Sequence, residues 1–288
     1  MVVLTAVAAI GGLTFLLATA LILADRKLRV EEDLRIDVVE EMLPHANCGA
    51  CGYPGCRPFA EALVSGAAAP GKCSVSSEMG REAIAEYLGI AVGEHNRIVA
   101  RLACAGGSNV ARKRAHYSGE ASCLAAAQVA GGGKDCFWGC LGYGDCGRAC
   151  DFEAIEMNAH ALPVVDSAKC TGCGDCVDIC PKDLFSLQPE DRRLWVACKN
   201  LEQGDSVLAA CEVACTACGR CALDAPDGLV SMRDNLPVVD YSRPHATRVP
   251  IERCPTGAIV WIDPVAGPLR GEQSRKVLRQ SALPESPS

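Results

Sequence analysis

The apolar and polar positions divide this chain into unequal parts. Residues 2–24 contain no charge, and a helix of that length spans the roughly 30 Å of bilayer hydrocarbon. Asp25-Arg26-Lys27-Leu28-Arg29 follow at once. A basic flank stays in the cytoplasm, so the pattern predicts a single-pass anchor over residues 1–24 in the cytoplasmic (inner) membrane, with the rest of the chain on the cytoplasmic side. A cleaved signal peptide would suit Ala18-Thr19-Ala20, but its positive residues would precede the apolar run.

Beyond the anchor the apolar runs are short. Residues 30–93 form a first unit, with helices expected at 38–43 and 82–88 around a loop rich in Gly, Pro and Cys. Residues 94–133 contain Arg112-Lys113-Arg114 and Gly131-Gly132-Gly133 and are read as a linker with a helical portion. Residues 134–190 and 191–262 are two ferredoxin-like units, and residues 263–288 are a polar tail ending in Pro and Ser, expected to be disordered. The fold class is α+β: a transmembrane helix, a small four-cysteine domain, then tandem units of the bacterial two-cluster ferredoxin type.

The tandem reading rests on an internal repeat. Leu162-Pro163-Val164-Val165-Asp166 recurs as Leu236-Pro237-Val238-Val239-Asp240. Cys123, Cys136, Cys140 and Cys146 recur as Cys198, Cys211, Cys215 and Cys221, all four at one constant offset. Cys180 recurs as Cys254 at the offset of the apolar pentapeptide, one position shorter. One unit has thus been duplicated, with a slip of a single position in the middle.

Composition sharpens the picture. Of 288 residues 20 are cysteine and only 5% are aromatic, so the hydrophobic cores are thin and a cross-link must hold them. Disulfides scatter cysteines over loops; here they stand three and four residues apart, as metal ligands do. The net charge of −7 argues against a nucleic-acid partner and suits a basic or neutral redox partner.

Cys170, Cys173, Cys176 and Cys180, followed by Pro181, have the spacing of bacterial two-cluster ferredoxins, in which three cysteines wrap one cubane and the fourth ligates its neighbour. The second motif lies upstream, at Cys136, Cys140, Cys146 and Cys150. Tyr143 stands where the repeat has Cys218, so this motif lacks its middle cysteine and Cys136 is read as the replacement. Crossing then assigns Cys136, Cys140, Cys146 and Cys180 to one cluster and Cys150, Cys170, Cys173 and Cys176 to another. In the second repeat Ala225, Pro244, Thr247 and Pro250 replace all four ligands of one cluster. Cys215, Cys218, Cys221 and Cys254 retain the other, with Cys211 as a rival fourth ligand. The first unit offers Cys48, Cys51, Cys56 and Cys73, whose pattern alone also suits zinc. The total is four [4Fe–4S] clusters. Cys104, Cys123, Cys198 and Cys211 are left as buried thiols or a fifth cluster, a choice their spacing does not make. The five histidines are scattered, and no phosphate-binding glycine motif or nucleophile–base pair is present.

The order of anchor, C-x2-C-x4-C-x16-C unit and crossed ferredoxin motifs resembles the B subunit of the Rnf complex. The stretches Cys48-Gly49-Ala50-Cys51-Gly52-Tyr53-Pro54-Gly55-Cys56 and Cys140-Leu141-Gly142-Tyr143-Gly144-Asp145-Cys146 carry that resemblance most specifically, and Asp151 after Cys150, where proline is usual, departs from it. The resemblance implies an electron-transfer subunit of a membrane complex that couples electron flow between ferredoxin and NAD to Na+ or H+ translocation, a redox-driven translocase. Its partners would be the other membrane and flavin subunits and ferredoxin or another soluble carrier. The alternative is a membrane-tethered polyferredoxin that serves another reductase without ion pumping; a zinc scaffold that transfers no electrons is the rival from another class.

Overall fold

The computed structural model describes residues 1–28 and 33–285, without the side chains of Val2, Val3, Leu4, Ala6, Ala9 and Leu28. Some side chains of the expected anchor, the start of the expected first unit and the last three residues of the expected tail therefore lie outside the described residues. Helix α1 (Val2–Leu28) covers the apolar run and carries Arg26 and Lys27 in its last turn. Neither α1 nor any other helix among the described residues is long and apolar enough to cross a membrane. The described large apolar side chains of α1, Phe15 and Leu21 among them, are exposed.

The first soluble unit is three short helices. In α2 (Leu34–Met42) the Asp33 side chain accepts from the Arg35 N–H at the amino end, the capping that frees helix ends from unpaired donors. Helix α3 (Cys56–Val64) buries one apolar face. Helix α4 (Glu78–Leu88) starts on a Ser77 cap and stops where Gly89 turns left-handed, as helix ends do. Val39, Phe59, Leu63 and Ile84 meet at the centre and are at most 1% exposed. The two expected helices fall within α2 and α4 but for Leu43, which ends α2 as its cap.

The ferredoxin-like part begins earlier than expected. Strand β1 (Ile98–Leu102) lies in the supposed linker, yet it carries a buried centre. After it come α5 (Cys123–Gln128), α6 (Asp145–Arg148), the hairpin strands β2 (Ile155–Met157) and β3 (Pro163–Val165), α7 (Asp175–Asp178) and β4 (Phe185–Pro189). Strand β1 pairs antiparallel with β4, Leu102 opposite Phe185, and β2 pairs with β3. The segment thus supplies a strand of the first ferredoxin-like unit. Basic and glycine runs suggested a linker, but a short segment with a buried centre becomes a strand once β4, distant in sequence, lies beside it.

The second ferredoxin-like unit repeats this plan. It runs through β5 (Leu194–Val196), α8 (Arg220–Asp224), β6 (Val230–Arg233), β7 (Leu236–Val239), α9 (Val249–Glu252), β8 (Ile259–Asp263) and β9 (Gly267–Leu269). Strand β5 pairs with β8, and β6 with β7. Asp234 and Asn235 both take positive φ between β6 and β7, the two-residue turn that matches strand twist. The units agree in detail: Ala103 N–H donates to Leu184 O at 2.7 Å, and Ala197 N–H to Ala258 O at 2.7 Å.

The tail expected to be disordered makes specific contacts as far as Leu283. Strand β9 pairs with β8. Arg279 then donates to Asn109 O at 2.9 Å and pairs with Glu212 at 3.1 Å, and Leu283 N–H reaches Ser108 O. Polar composition hid this because most of the contacts are made by backbone groups and one guanidinium.

Of the four positions expected to have lost cluster ligands in the second ferredoxin-like unit, Pro244 is exposed and Ala225 and Thr247 are half-buried. Pro250, in the place of Cys176, is fully buried. His245 is buried too; its Nδ1 accepts from Leu194 N–H at 2.9 Å, and its ring packs on Tyr241, which packs on Trp195. Burial holds the His245 pKa below the ordinary 6.5; the Arg192 and Arg101 charges act with burial and the Asp240 carbonyl against it. The unfolded chain therefore takes up this proton first as the pH falls. Stability is complete above about 6.5 and declines below it. His245→Ala should remove that pH-dependent part and, by leaving Leu194 N–H without its acceptor, cost about 1–3 kcal/mol at neutral pH. Denaturant melts of both proteins between pH 7.5 and 5.5 measure the two effects.

Candidate metal centres

The cysteines of the amino-terminal unit come from a loop and a helix end. Cys56 opens α3, and its N–H donates to Asn47 Oδ1 at 2.8 Å, which folds the preceding loop back on itself. Cys51, Cys56 and Cys73 line the core beside Phe59. Burial raises the Cys51 pKa, and the neighbouring Cys73 and Cys48 add to the rise. Cys73 Sγ accepts from the N–H of Ser76 at 3.4 Å and from its hydroxyl at 3.2 Å. The four expected cysteines of this unit are therefore one neighbourhood.

Cys150, Cys170, Cys173 and Cys176 also meet as expected, around one hollow walled by Ala100 and Leu187. Three come from the loop that runs into α7, and Cys150 crosses over from the end of α6. Ala100 N–H points at Cys170 Sγ and Ala154 N–H at Cys150 Sγ, both at 3.4 Å. In the second ferredoxin-like unit Cys215, Cys218, Cys221 and the distant Cys254 ring a matching hollow. Cys211 is not on that wall, so the rival fourth ligand is set aside by geometry.

The remaining ring differs from expectation. Cys140, Cys146 and Cys180 line a hollow together with Cys123, and Cys136 is absent from its wall. The cause is Asp145. Its buried carboxylate accepts from the Ser122 hydroxyl at 2.9 Å and from Leu124 N–H at 3.1 Å, which pins the start of α5 over the Cys140–Cys146 loop. Burial works to raise this carboxyl, but the Cys123 and Leu124 N–H groups, Ser122 and the Arg148 charge outweigh it and hold the pKa below the usual range. The glycine run closes the arrangement rather than loosening it. A Cβ on Gly132 would lie 2.5 Å from Leu141, and one on Gly133 2.5 Å from Ala115 O; both have positive φ. Cys123 thus stands as a fourth thiol on the hollow where Tyr143 offers none. Cys136 lies instead against a core that contains Cys211, with Cys198 also packed on it.

The two rings of the first ferredoxin-like unit share one core, in which Cys146 and Cys176 are both buried. Burial, with neighbouring thiols adding, pushes Cys140 and Cys176 up to about 12 and Cys146, Cys215 and Cys221 up to about 11. Such thiols keep their protons at neutral pH until a metal displaces them. Among the described residues no three His, Cys, Asp or Glu side chains converge tightly enough for a single ion. Thiols spread around an apolar hollow, with backbone N–H groups aimed at the sulfurs, fit a cubane cluster.

Known proteins share these features. The family model described as "Putative Fe-S cluster" matches residues 43–75, and that described as "4Fe-4S binding domain" matches residues 162–185. The B subunit of the Na(+)-translocating ferredoxin:NAD(+) oxidoreductase complex of Acetobacterium woodii is 37% identical over 257 residues, 89% of this chain and 77% of that protein. The B subunit of the ion-translocating oxidoreductase complex of Methanosarcina acetivorans is 32% identical over 258 residues, 90% of this chain and 98% of that one. The B subunit of the proton-translocating ferredoxin:NAD(+) oxidoreductase complex of Clostridium ljungdahlii is 35% identical over 280 residues, 95% and 96% of the two chains. With identity at this level across nearly the full length, joined to the thiol rings, the chain belongs to the family of B subunits of ion-translocating oxidoreductase (Rnf) complexes.

Proposed function

We propose that this chain is the electron-transfer subunit of a membrane-bound complex that couples electron flow between ferredoxin and NAD to ion translocation. Four rings would hold [4Fe–4S] clusters: Cys48, Cys51, Cys56 and Cys73; Cys123, Cys140, Cys146 and Cys180; Cys150, Cys170, Cys173 and Cys176; Cys215, Cys218, Cys221 and Cys254. A bound cubane supplies one-electron chemistry. The protein's own part is to hold each ring dry, to aim N–H donors at the sulfurs and to keep the rings in line.

One observation carries the reading: direct contacts join three of the four rings. Ser74, next to Cys73, donates its hydroxyl to Thr171 O at 2.7 Å, inside the Cys170–Cys173 loop. From there Cys176 and Cys146 share a core. A path thus runs from the amino-terminal unit to the third ring and on to the second. Electron entry from ferredoxin and exit towards flavin-bearing and membrane subunits complete the role. The uncharged run over residues 2–24, the exposed apolar face of α1 and its terminal Arg26 and Lys27 support a single-pass anchor with the rings on the cytoplasmic side.

Reduced ferredoxin mixed with the reconstituted chain should bleach its cluster absorbance on the stopped-flow timescale; no bleaching would overturn the role. Cys180→Ser and Cys123→Ser should each damage the same cluster and spare the one held by Cys170, Cys173 and Cys176. Loss of one thiolate should yield a [3Fe–4S]-type EPR signal common to both variants. Cys150→Ser should injure the other cluster. Removing residues 1–28 should give a soluble brown protein with its full iron content, since no cysteine precedes Cys48; iron loss on truncation would show that the helix helps to build the amino-terminal unit.

A further inference from the structure

Four cysteines stay outside the rings: Cys104, Cys136, Cys198 and Cys211. The repeat pairs them. Cys104 is the second residue after β1 and Cys198 the second after β5; Cys136 precedes Cys140 by four positions, as Cys211 precedes Cys215. Each ferredoxin-like unit therefore contributes one cysteine after its edge strand and one before its ring. Cys123 belongs to an insertion of the first of these units, so Cys104, not Cys123, is the structural counterpart of Cys198.

The seam between the two ferredoxin-like units brings these pairs face to face. Ala105 N–H donates to Ala197 O, Arg112 N–H to Ala210 O and Glu212 N–H to Val110 O, each at 2.9 Å, and Ala111 bridges Cys211. A Cβ built on Gly106 would stand 3.1 Å from Cys211 Sγ and 3.6 Å from Cys104 Sγ, so this residue lies between thiols of different units. Cys104 is near enough to act electrostatically on Cys136, Cys198 and Cys211, and Cys136 on Cys211. The Lys134 ammonium is hydrogen-bonded to the carbonyl oxygens of Gly106 and Cys140, beside these thiols. All four cysteines are free thiols, and Val277 of the tail packs on the core around Cys211.

We infer that Cys104, Cys136, Cys198 and Cys211 hold a fifth [4Fe–4S] cluster at the seam, two ligands from each ferredoxin-like unit. The backbone already makes the matching bonds. Cys140 N–H donates to Cys104 Sγ at 3.4 Å, and Cys215 N–H donates to Cys198 Sγ at 3.4 Å. Cys140 lines the second ring and Cys215 the fourth, so the site lies between those two. Its part in electron flow rests on the reading above; its existence does not.

The test uses the full chain in detergent, reconstituted anaerobically with iron and sulfide. The wild type should bind about twenty irons and the Cys104→Ser/Cys198→Ser variant about sixteen. The irons kept by the other rings report that the variant is folded. Cys136→Ser should lose the same cluster as this double variant, whereas Cys123→Ser should lose the cluster that Cys146→Ser loses. If the double variant binds no iron at all, Gly106→Val, which pushes a side chain between Cys104 and Cys211, decides: a loss of about four irons supports the site. About sixteen irons in the wild type and no change in the variants would overturn the inference, as would zinc at the seam in place of iron, or a Cys136→Ser variant that loses the cluster of Cys146. None of these readouts depends on ferredoxin or on ion transport, so the site can fail while the electron-carrier role stands.

Discussion

Ligation across loops is the constraint on which the ferredoxin-like part depends. Its strands are three to five residues long and its helices four to six, too short to be stable alone. What ties them is that a cysteine leaves its own loop and joins the neighbouring ring: Cys150 to the loop before α7, Cys180 to the loop before α6, Cys254 to the loop before α8. Thiols with pKa values raised by burial gain little from one another without iron, so site and fold form together.

The same constraint explains what the sequence revealed and what it concealed. Crossing is a rule of local spacing, and the thiols it grouped as the third and fourth sets each line one hollow. The choice between Cys136 and Cys123 was not local. It turns on Asp145, well downstream of Cys123, and on a glycine turn whose tightness shows only when Leu141 and Ala115 are in place. A missing thiol at Tyr143 announced that a substitute was needed; the nearest cysteine in sequence was the wrong one in space.

Strand β1 and the tail were obscured for a related reason. A short segment with a buried centre looks like any fragment of loop until β4 is beside it. The tail is held by backbone bonds to residues 108 and 109 and by the Arg279–Glu212 pair, features without a compositional mark. The duplication was legible from Leu162-Pro163-Val164-Val165-Asp166 and its copy, but an insertion in the first ferredoxin-like unit shifted the alignment. It matched Cys198 with Cys123, although the two edge strands match it with Cys104.

Crossed ligation also fixes a timetable for a chain that leaves the ribosome from its amino end. The amino-terminal unit has all four of its thiols once Cys73 has emerged. The ring that begins with Cys123 and Cys140 must wait for Cys180, so the later-starting ring, complete at Cys176, is the first of the pair that can be filled. The last ring stays open until Cys254. In the proposed ligand sets, then, each site is complete only when its closing cysteine has emerged, and a cluster can be held in full only from that point on.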